Sequence, residues 1–367
     1  MSANLSIEVN GMHFPNPFVI GSGPPGTNAH VISRCFDAGW GGVVAKTCSL
    51  TDTEVINVSP RYGKLRAAKS GEVIGFQNIE LISDRPFEDW EADFRALKAS
   101  YPDRILIASL MECFDEKRWQ ELARRCVATG VDGLELNFSC PHGHPETGMG
   151  AAMGQNPQMV ETVTRWVKQA VDKPVWAKLT PNITDIRVPA RAAMAGGADG
   201  ISAINTILSI IGIDPKTLRP VPTVEGYSVP GGYSAQAVKP IALRMVMEIA
   251  TALPGCEISG IGGVWRSFDA IEFLLLGAST VQVCTGAMLQ GQEMVSELIE
   301  GLEKFMVDHK FESVRNMVGH SLQYFTTHHH LVELQAQKRA EREASNRDLN
   351  WGKASIQDET ARITSNE

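Results

Sequence analysis

Eight short apolar runs, separated by longer stretches with helical periodicity, constrain the fold of this chain more than any other feature. The runs span residues 18–22, 42–47, 105–111, 133–139, 175–180, 200–206, 257–263 and 280–286. Each is nearly continuous in apolar character, as expected for a strand that a parallel sheet buries on both faces. Eight alternating strand and helix units predict an α/β fold, a (β/α)8 TIM barrel.

The stretches between these runs predict the outer ring of helices. Most of them begin with Asn, Asp or Ser and end near Gly, with apolar residues at three- and four-residue spacing. They span residues 28–40, 115–130, 156–172, 183–199, 267–279 and 293–309. The Asn10–Gly11 pair predicts a short N-terminal hairpin that caps the barrel floor. We expect the barrel over residues 1–310, followed over residues 311–367 by a helical extension and polar tail that is not a separate domain.

The composition limits the class of partner. The formal net charge is -8 and the pI is about 5.7, which argues against a surface that tracks nucleic-acid phosphates. No run of about 18 apolar residues is present, and the first residues lack the basic start and apolar middle of a signal peptide. We expect a cytoplasmic chain that binds a small molecule and neither nucleic acid nor membrane.

The cysteines and histidines do not form a metal-binding pattern. The seven cysteines are more than ten residues apart, so the chain has no C-x-x-C unit of the zinc or iron–sulfur type. Three adjacent histidines, His328 to His330, point in different directions on a helix and cannot chelate one ion well. We therefore expect free thiols and no metal site.

The ends of the predicted strands are unusually polar, and a TIM barrel builds its active site at the carboxyl ends of its strands. The polar and glycine residues there are Gly21, Ser22, Lys46, Thr47, Asn137, Ser139, Cys140, Lys178, Thr180, Asn205, Thr206, Gly260, Gly262, Gly263, Cys284, Thr285 and Gly286. The glycines after the last two runs are typical of barrels that hold a phosphate on backbone amides, which implies a phosphorylated cofactor. Lys46 and Lys178 suit a ring that takes up negative charge on reduction, and this favours flavin mononucleotide (FMN).

The segment LELNFSCPHGH places Cys140 at the end of an apolar run. By itself this cysteine fits three roles: a buried small residue, a metal ligand, or a catalytic acid or base. Pro141 favours an extended conformation at Cys140. The glycine-rich stretch that follows, residues 141–157, is typical of a loop that closes over a substrate.

Seven motifs carry a resemblance to a known family. They are VAKTCSL, IGFQNIELISDRP, NFSCPHG, WAKLTPNITDI, AINT, GGYSA and SGIGGV, in this order along the chain. They resemble the flavin domain of dihydropyrimidine dehydrogenase, and the Asn-x-Ser-Cys-Pro core is similar to that of class-1 dihydroorotate dehydrogenases. The resemblance covers about residues 5–335, and FQNIELIS at residues 76–83 favours the pyrimidine branch.

The resemblance implies an oxidoreductase of pyrimidine catabolism that interconverts uracil or thymine with the 5,6-dihydropyrimidine. Hydride then passes from flavin N5 to C6 of the ring, and Cys140 donates a proton at C5. The implied substrate-binding residues are Asn78, Glu80, Ile82, Asn137, Ser139, Asn205 and Thr206. The implied FMN-binding residues are Gly21, Ser22, Lys46, Thr47, Asn78, Asn137, Lys178, Asn205, Gly232, Gly262, Gly263, Cys284 and Thr285.

The sequence departs from the family pattern in two places. No cysteine follows Cys284, whereas enzymes of this type commonly carry C-terminal cysteine runs that hold two four-iron clusters. We therefore expect no iron–sulfur cluster in this chain. Either an electron-supplying partner subunit docks and reduces the flavin directly, or the flavin meets its donor without a cluster relay, with NAD(P)H as an indirect electron donor. Ala235 stands where the family often has glycine, which implies a shifted phosphate loop or substrate wall. The family also implies a homodimer.

Two alternative functions stay open. The first is a reductase or oxidase of another electron-poor ring, such as dihydroorotate and orotate, whose carboxylate needs an additional cation. The second is a non-catalytic flavin-binding subunit of a complex; Cys140 argues against it, because binding needs no acid at that point. A transfer-RNA dihydrouridine synthase is expected to show a basic face, and this chain is acidic.

Overall fold

The structure is a computed structural model that describes residues 3–52, 55–138 and 150–349. The chain divides into two compact units after Leu322. The strands, in chain order, are β1 (Ile7–Val9), β2 (Met12–Phe14), β3 (Phe18–Ile20), β4 (Gly42–Val44), β5 (Tyr62–Arg66), β6 (Val73–Asn78), β7 (Ile105–Leu110), β8 (Gly133–Asn137), β9 (Val175–Lys178), β10 (Gly200–Ala203), β11 (Ile207–Ser209), β12 (Gly231–Ser234), β13 (Glu257–Ile261) and β14 (Thr280–Val283). The helices are α1 (Ala29–Ala38), α2 (Phe87–Ser100), α3 (Glu116–Val127), α4 (Ala151–Gly154), α5 (Pro157–Ala170), α6 (Arg187–Ala195), α7 (Lys239–Ala252), α8 (Ser267–Leu275), α9 (Thr285–Gln290), α10 (Met294–His309), α11 (Val314–Met317) and α12 (His328–Leu349).

Eight parallel strands close into a barrel, which confirms the predicted fold. Their order around the barrel is β3, β4, β7, β8, β9, β10, β13, β14, and β14 pairs with β3 to close the ring. Each barrel strand lies inside one of the eight apolar runs, and most of their side chains are buried. Burial on both faces explains why the runs are apolar throughout rather than alternating.

The helices between the barrel strands begin and end where local chemistry satisfies their free backbone groups. Asn28 caps α1 by accepting a hydrogen bond from the backbone N–H of Val31, and Gly39 ends that helix at φ 109°. Asp115 caps α3 in the same way, through the backbone N–H of Arg118. Such caps contribute about 1 kcal/mol each. The six predicted helices correspond to α1, α3, α5, α6, α8 and α10, whereas α2 and α7 were not predicted.

The N-terminal hairpin forms as predicted at the amino ends of the barrel strands. Asn10 and Gly11 both have positive φ, 50° and 77°, as a two-residue turn between β1 and β2 requires. The side chain of Asn10 accepts a 2.8 Å hydrogen bond from the indole of Trp176 and donates one to the carbonyl of Asp199. These bonds attach the hairpin to the barrel floor.

A four-stranded antiparallel sheet, in the order β11, β12, β6, β5, is a feature that the sequence analysis missed. Its strands come from the connections that follow β4 and β10, so they leave the barrel at its carboxyl end. The sheet therefore supplies side chains to the end of the barrel where an active site is expected.

The second unit contains α12, whose described side chains, at residues 328–343, are exposed. A charged surface helix was predicted there. Among the helices in the part of the chain that the structure describes, none is long and apolar enough to cross a membrane.

Candidate functional site

A cavity lies at the carboxyl ends of the barrel strands; it has about 1100 Å³ of space, which includes its opening to solvent. Its floor comes from β8, β9, β13 and β14 and the residues that follow them, and its wall from the antiparallel sheet. Most of the predicted site residues line it: Ser22, Lys46, Thr47, Asn78, Glu80, Ile82, Asn137, Lys178, Asn205, Thr206, Gly262, Gly263, Cys284 and Thr285. The fold thus brings together residues that are more than 250 positions apart in the sequence.

Four predicted residues need separate mention. Gly21 and Gly232 are not among the lining residues; the backbone N–H of Gly21 donates to the carbonyl of Val283, and the carbonyl of Gly232 accepts from the Asn78 amide. Ser139 and Cys140, together with residues 141–149 of the predicted loop, lie outside the described residues.

Carboxamide side chains form one side of the cavity. Asn137, at the end of β8, donates a 2.9 Å hydrogen bond to the Thr47 hydroxyl. Asn205 approaches Asn137 with its Nδ2 atom 3.3 Å from the Asn137 Oδ1 atom. The third amide, Asn78, donates to the carbonyl of Gly232 at 3.3 Å. Each carboxamide offers two donors and two acceptor lone pairs, so the cluster can match a ligand edge that alternates between the two.

The first cavity lysine is part of a buried ion pair. The Nζ atom of Lys46 lies 2.7 Å from an oxygen of Glu80, and the two side chains are only 9% and 8% exposed. Arg61 contacts the same oxygen at 3.3 Å, and the Tyr62 hydroxyl donates to the other oxygen at 3.1 Å. Burial raises the pKa of Tyr62, so its hydroxyl remains a donor. Three groups therefore hold the Glu80 carboxylate in place.

The second cavity lysine, Lys178, is paired inside the barrel. Its Nζ atom lies 3.2 Å from Glu135, which is fully buried on β8. The carboxylate of Glu135 also accepts hydrogen bonds from the Ser202 hydroxyl at 2.7 Å and from the Gln282 amide at 2.8 Å. Three donors, from β9, β10 and β14, thus stabilise a charge in the barrel interior.

Gln282 presents an unsatisfied acceptor to the cavity. Its Nε2 atom faces the Glu135 carboxylate and the hydroxyls of Ser202 and Ser259. Because a carboxylate can only accept hydrogen bonds, the Gln282 amide must point its Nε2 atom toward Glu135. The Oε1 atom therefore points away from Glu135. Within the described residues Oε1 is buried without a hydrogen-bond partner, and Gln282 lines the cavity. A buried acceptor of this kind calls for a donor on a bound ligand.

The far end of the cavity is built from backbone. Gly262 and Gly263 follow β13 with φ of 139° and 78°, which only glycine adopts readily, and a Cβ atom at Gly263 would lie 2.8 Å from the backbone nitrogen of Lys239. The hydroxyls of Ser234 and Thr285 lie 2.8 Å apart beside them. Ala235, the residue that departs from the family pattern, is buried here at φ 73°.

Cys284 contributes a thiol rather than a thiolate. Burial raises its pKa to about 11, and Glu80 adds to this effect, while Lys178 and Lys46 oppose it. A thiol with such a pKa is neutral at physiological pH, so the residue is not an activated nucleophile.

The sequence analysis missed two groups of residues that build the site. The antiparallel sheet contributes Tyr62, Phe76, Tyr233 and Ser234, and the signal that could have found it is the turn-like AAKSGE between two strand-like segments. Glu135 and Gln282 lie within apolar runs, where a lone polar residue in a strand with both faces buried is itself the signal.

Comparison with known proteins gives a consistent result. A family model described as dihydroorotate dehydrogenase matches residues 4–306. The chloroplastic dihydropyrimidine dehydrogenase (NADP(+)) of Arabidopsis thaliana is 54% identical, with 99% of this chain and 88% of that protein covered. The PreA subunit of the NAD-dependent dihydropyrimidine dehydrogenase of Escherichia coli is 45% identical, with 87% of this chain and 77% of that subunit covered.

A third relative and a solved structure extend the comparison. The dihydroorotate dehydrogenase B (NAD(+)) catalytic subunit of Pyrococcus abyssi is 36% identical, with 87% of this chain and 99% of that subunit covered. The structure of DHODH from Eimeria tenella in complex with ferulenol superimposes with a TM-score of 0.72 at 20% identity, covering 87% of this chain and 88% of that one. The likeness to the Eimeria tenella structure shows a shared fold.

Proposed function

The chain belongs to the dihydroorotate dehydrogenase family of oxidoreductases that act on CH–CH bonds, as the motifs predicted, and on this premise we propose that it is an FMN-dependent enzyme that interconverts uracil or thymine with the 5,6-dihydropyrimidine. Two of its relatives are named as dihydropyrimidine dehydrogenases. The greater identity to these than to the Pyrococcus relative supports a neutral pyrimidine as substrate.

The carboxamide cluster is the observation that carries the proposal. A pyrimidine ring presents an O–N–O edge on which acceptors flank a donor, and Asn78, Asn137 and Asn205 line the same cavity with both kinds of group. We assign the flat edge of the base to these amides, with Glu80, Ile82, Ser139 and Thr206 completing the pocket. Losing one amide leaves a buried polar group of the substrate unpaired, which costs about 1–3 kcal/mol.

The residues of the cavity fit FMN. The Gln282 oxygen, which has no hydrogen-bond partner among the described residues, can accept from an N–H or O–H of the cofactor, and the Lys178 ammonium, oriented by its contact with Glu135, can donate to a ring that gains negative charge on reduction. At the far end, Gly262, Gly263 and Thr285 offer backbone N–H groups in a place with no room for a Cβ atom at Gly263, which suits a phosphate. When bound, FMN supplies the hydride that adds to C6 of the pyrimidine.

We assign the proton-transfer step to Cys140, which follows Asn137 by three positions in the sequence. As hydride reaches C6, negative charge develops toward C5 and O4, and the thiol of Cys140 donates its proton to C5. The amides that hold the O–N–O edge orient the ring for this transfer. In the reverse direction the thiolate of Cys140 removes the proton from C5.

The proposal extends to partners and location. The Escherichia coli and Pyrococcus relatives are both named as subunits, which supports an electron-supplying partner subunit that takes its electrons from NAD(P)H. We keep a cytoplasmic location for this chain, although the Arabidopsis relative is named as chloroplastic.

Exposed apolar side chains at Ile210, Ile213 and Leu218 support a homodimer, which light scattering of the purified protein tests.

The test is an anaerobic half-reaction. The bound flavin is reduced with light, uracil is added, and the return of the oxidised visible absorbance is followed. We expect fast reoxidation by uracil or thymine that is lost in Cys140→Ala. Cys256→Ala is the matched control, because Cys256 precedes β13 at the opposite end of the barrel. A flavin-loaded protein that neither base reoxidises contradicts the proposed function, and equal loss in both variants contradicts the role of Cys140.

A further inference from the structure

The lysines of the cavity are already neutralised. Lys46 is paired with Glu80 at 2.7 Å and Lys178 with Glu135 at 3.2 Å, and all four side chains are at most 9% exposed. In the described part of the lining, these two lysines are the cationic side chains. The cavity therefore offers polar groups to a ligand but holds its positive charges in internal pairs.

The two pairs differ in what a ligand can reach. Glu135 lies in the barrel interior behind the lining, whereas Glu80 is itself part of the cavity wall. The Glu80 carboxylate is held by Lys46, Arg61 and Tyr62, so it cannot swing away without breaking three contacts. Its negative charge is a fixed feature of the surface that a substrate meets.

The Lys46–Glu80 pair affects the binding of neutral and anionic rings differently. A neutral pyrimidine can accept or donate hydrogen bonds without disturbing the Lys46–Glu80 pair. A ring that carries a carboxylate must instead lose its hydration beside a fixed like charge, or displace Glu80 from Lys46 and leave one buried carboxylate unpaired. Both routes weaken binding of the anionic ring.

We propose that Glu80 is a specificity-determining residue that restricts the cavity to uncharged rings, by neutralising Lys46 and holding a fixed negative charge in the cavity wall. The inference rests on the proposed function and deepens it, because it explains how one barrel distinguishes uracil from a 6-carboxypyrimidine. Lys46 and Arg61 are the cations that removal of this charge would release.

The test compares two pyrimidine rings that differ by one charged substituent. Uracil and orotate, which is uracil with a carboxylate at C6, are titrated into the FMN-loaded protein, and the change in the visible absorbance of the flavin gives each Kd. In wild type we expect uracil to bind more tightly than orotate. In Glu80→Gln, which keeps the size of the side chain, we expect the ratio of the orotate Kd to the uracil Kd to fall by about tenfold or more. The ratio is insensitive to partial loss of flavin or of folded protein.

Two further variants separate charge from structure. Glu80→Asp retains the negative charge and should keep the wild-type preference. Asp84→Asn is the matched control. Asp84 is exposed and also acts electrostatically on Arg61, so this substitution removes one negative charge near Arg61 but outside the cavity. In Asp84→Asn we expect the ratio of the orotate Kd to the uracil Kd to stay within about twofold of wild type, since exposed charges are screened.

Each outcome has a definite meaning. The inference is overturned if wild type binds orotate as tightly as uracil, if Glu80→Gln leaves the ratio unchanged, or if Asp84→Asn changes it equally. A wild-type protein that binds neither ring contradicts the proposed function instead. In that case a gain of orotate binding in Glu80→Gln still supports the charge selection, and no gain overturns it.

Discussion

Removal of the charge on Glu135 tests how much it costs to leave the Lys178 ammonium unpaired inside the barrel. Glu135 is fully buried and accepts from Lys178 at 3.2 Å, from Ser202 at 2.7 Å and from Gln282 at 2.8 Å. Glu135→Gln keeps the volume but leaves the Lys178 ammonium buried without a counter-charge. Breaking a buried pair in this way costs about 3–5 kcal/mol of unfolding free energy.

An exposed pair provides the matched control. Lys304 and Asp308 lie 3.6 Å apart on α10, with side chains 79% and 58% exposed. Asp308→Asn also removes one carboxylate from an ion pair, but in water such pairs contribute about 0.5 kcal/mol or less. The contrast between the two variants isolates the effect of burial.

The assay is equilibrium unfolding in urea, with the free energy obtained by linear extrapolation. We expect Glu135→Gln to lose several kcal/mol while Asp308→Asn stays near wild type. The double variant Glu135→Gln/Lys178→Met removes both charges and should be less destabilised than the sum of the two single variants. A loss below about 1 kcal/mol in Glu135→Gln, with no coupling to Lys178, refutes the reasoning.

Three other predictions follow from local geometry. Ala235 has φ 73° and ψ -167°, a region that costs a non-glycine residue about 1–3 kcal/mol, so Ala235→Gly should raise the melting temperature despite the entropy of glycine; a lower value contradicts the strain. Cys284, with its pKa near 11 rather than 9.0, should react with iodoacetamide about 100-fold more slowly at pH 8 in the native than in the unfolded protein, which mass spectrometry checks. Because the folded pKa is the higher one, the contribution of this thiol to stability is complete below pH 9 and is lost as the pH rises through 11, which unfolding at pH 8 and 10 checks. Gly41→Ala would place a Cβ atom 2.2 Å from the carbonyl oxygen of Asn16 and should destabilise the barrel by about 1–3 kcal/mol, whereas Gly212→Ala, which meets nothing within 4 Å, should not; equal melting temperatures count against the clash.

The barrel was predictable because its signal is local. A strand with both faces buried needs an unbroken apolar run, and each of the eight runs contains one barrel strand. The hairpin at Asn10 was predictable for a similar reason, since two consecutive positive φ angles demand Asn-Gly chemistry. The antiparallel sheet was not, because β11 and β12 have only three and four residues, β5 is largely exposed, and β12 pairs with β6, which lies far away in the sequence.

The candidate site was predictable in its membership but not in its electrostatics. Position after a barrel strand placed Lys46, Asn137, Lys178 and Asn205 at one end of the molecule, and family motifs added Asn78 and Glu80. The sequence treated the two lysines as cations available to a flavin. The structure pairs each with a carboxylate, and it shows that Glu135 dictates which way the Gln282 amide faces.

The sequence by itself determined the strands, most of the helices and the residues that end each strand, because apolar periodicity, caps and turns act between neighbours in the chain. Only the tertiary structure decided that Glu80 neutralises Lys46, that Glu135 neutralises Lys178, and that one oxygen of Gln282 has no hydrogen-bond partner in the described part of the chain. Those outcomes depend on distances of about 3 Å between groups on different strands and on their exclusion from water, and neither quantity exists until the barrel has closed.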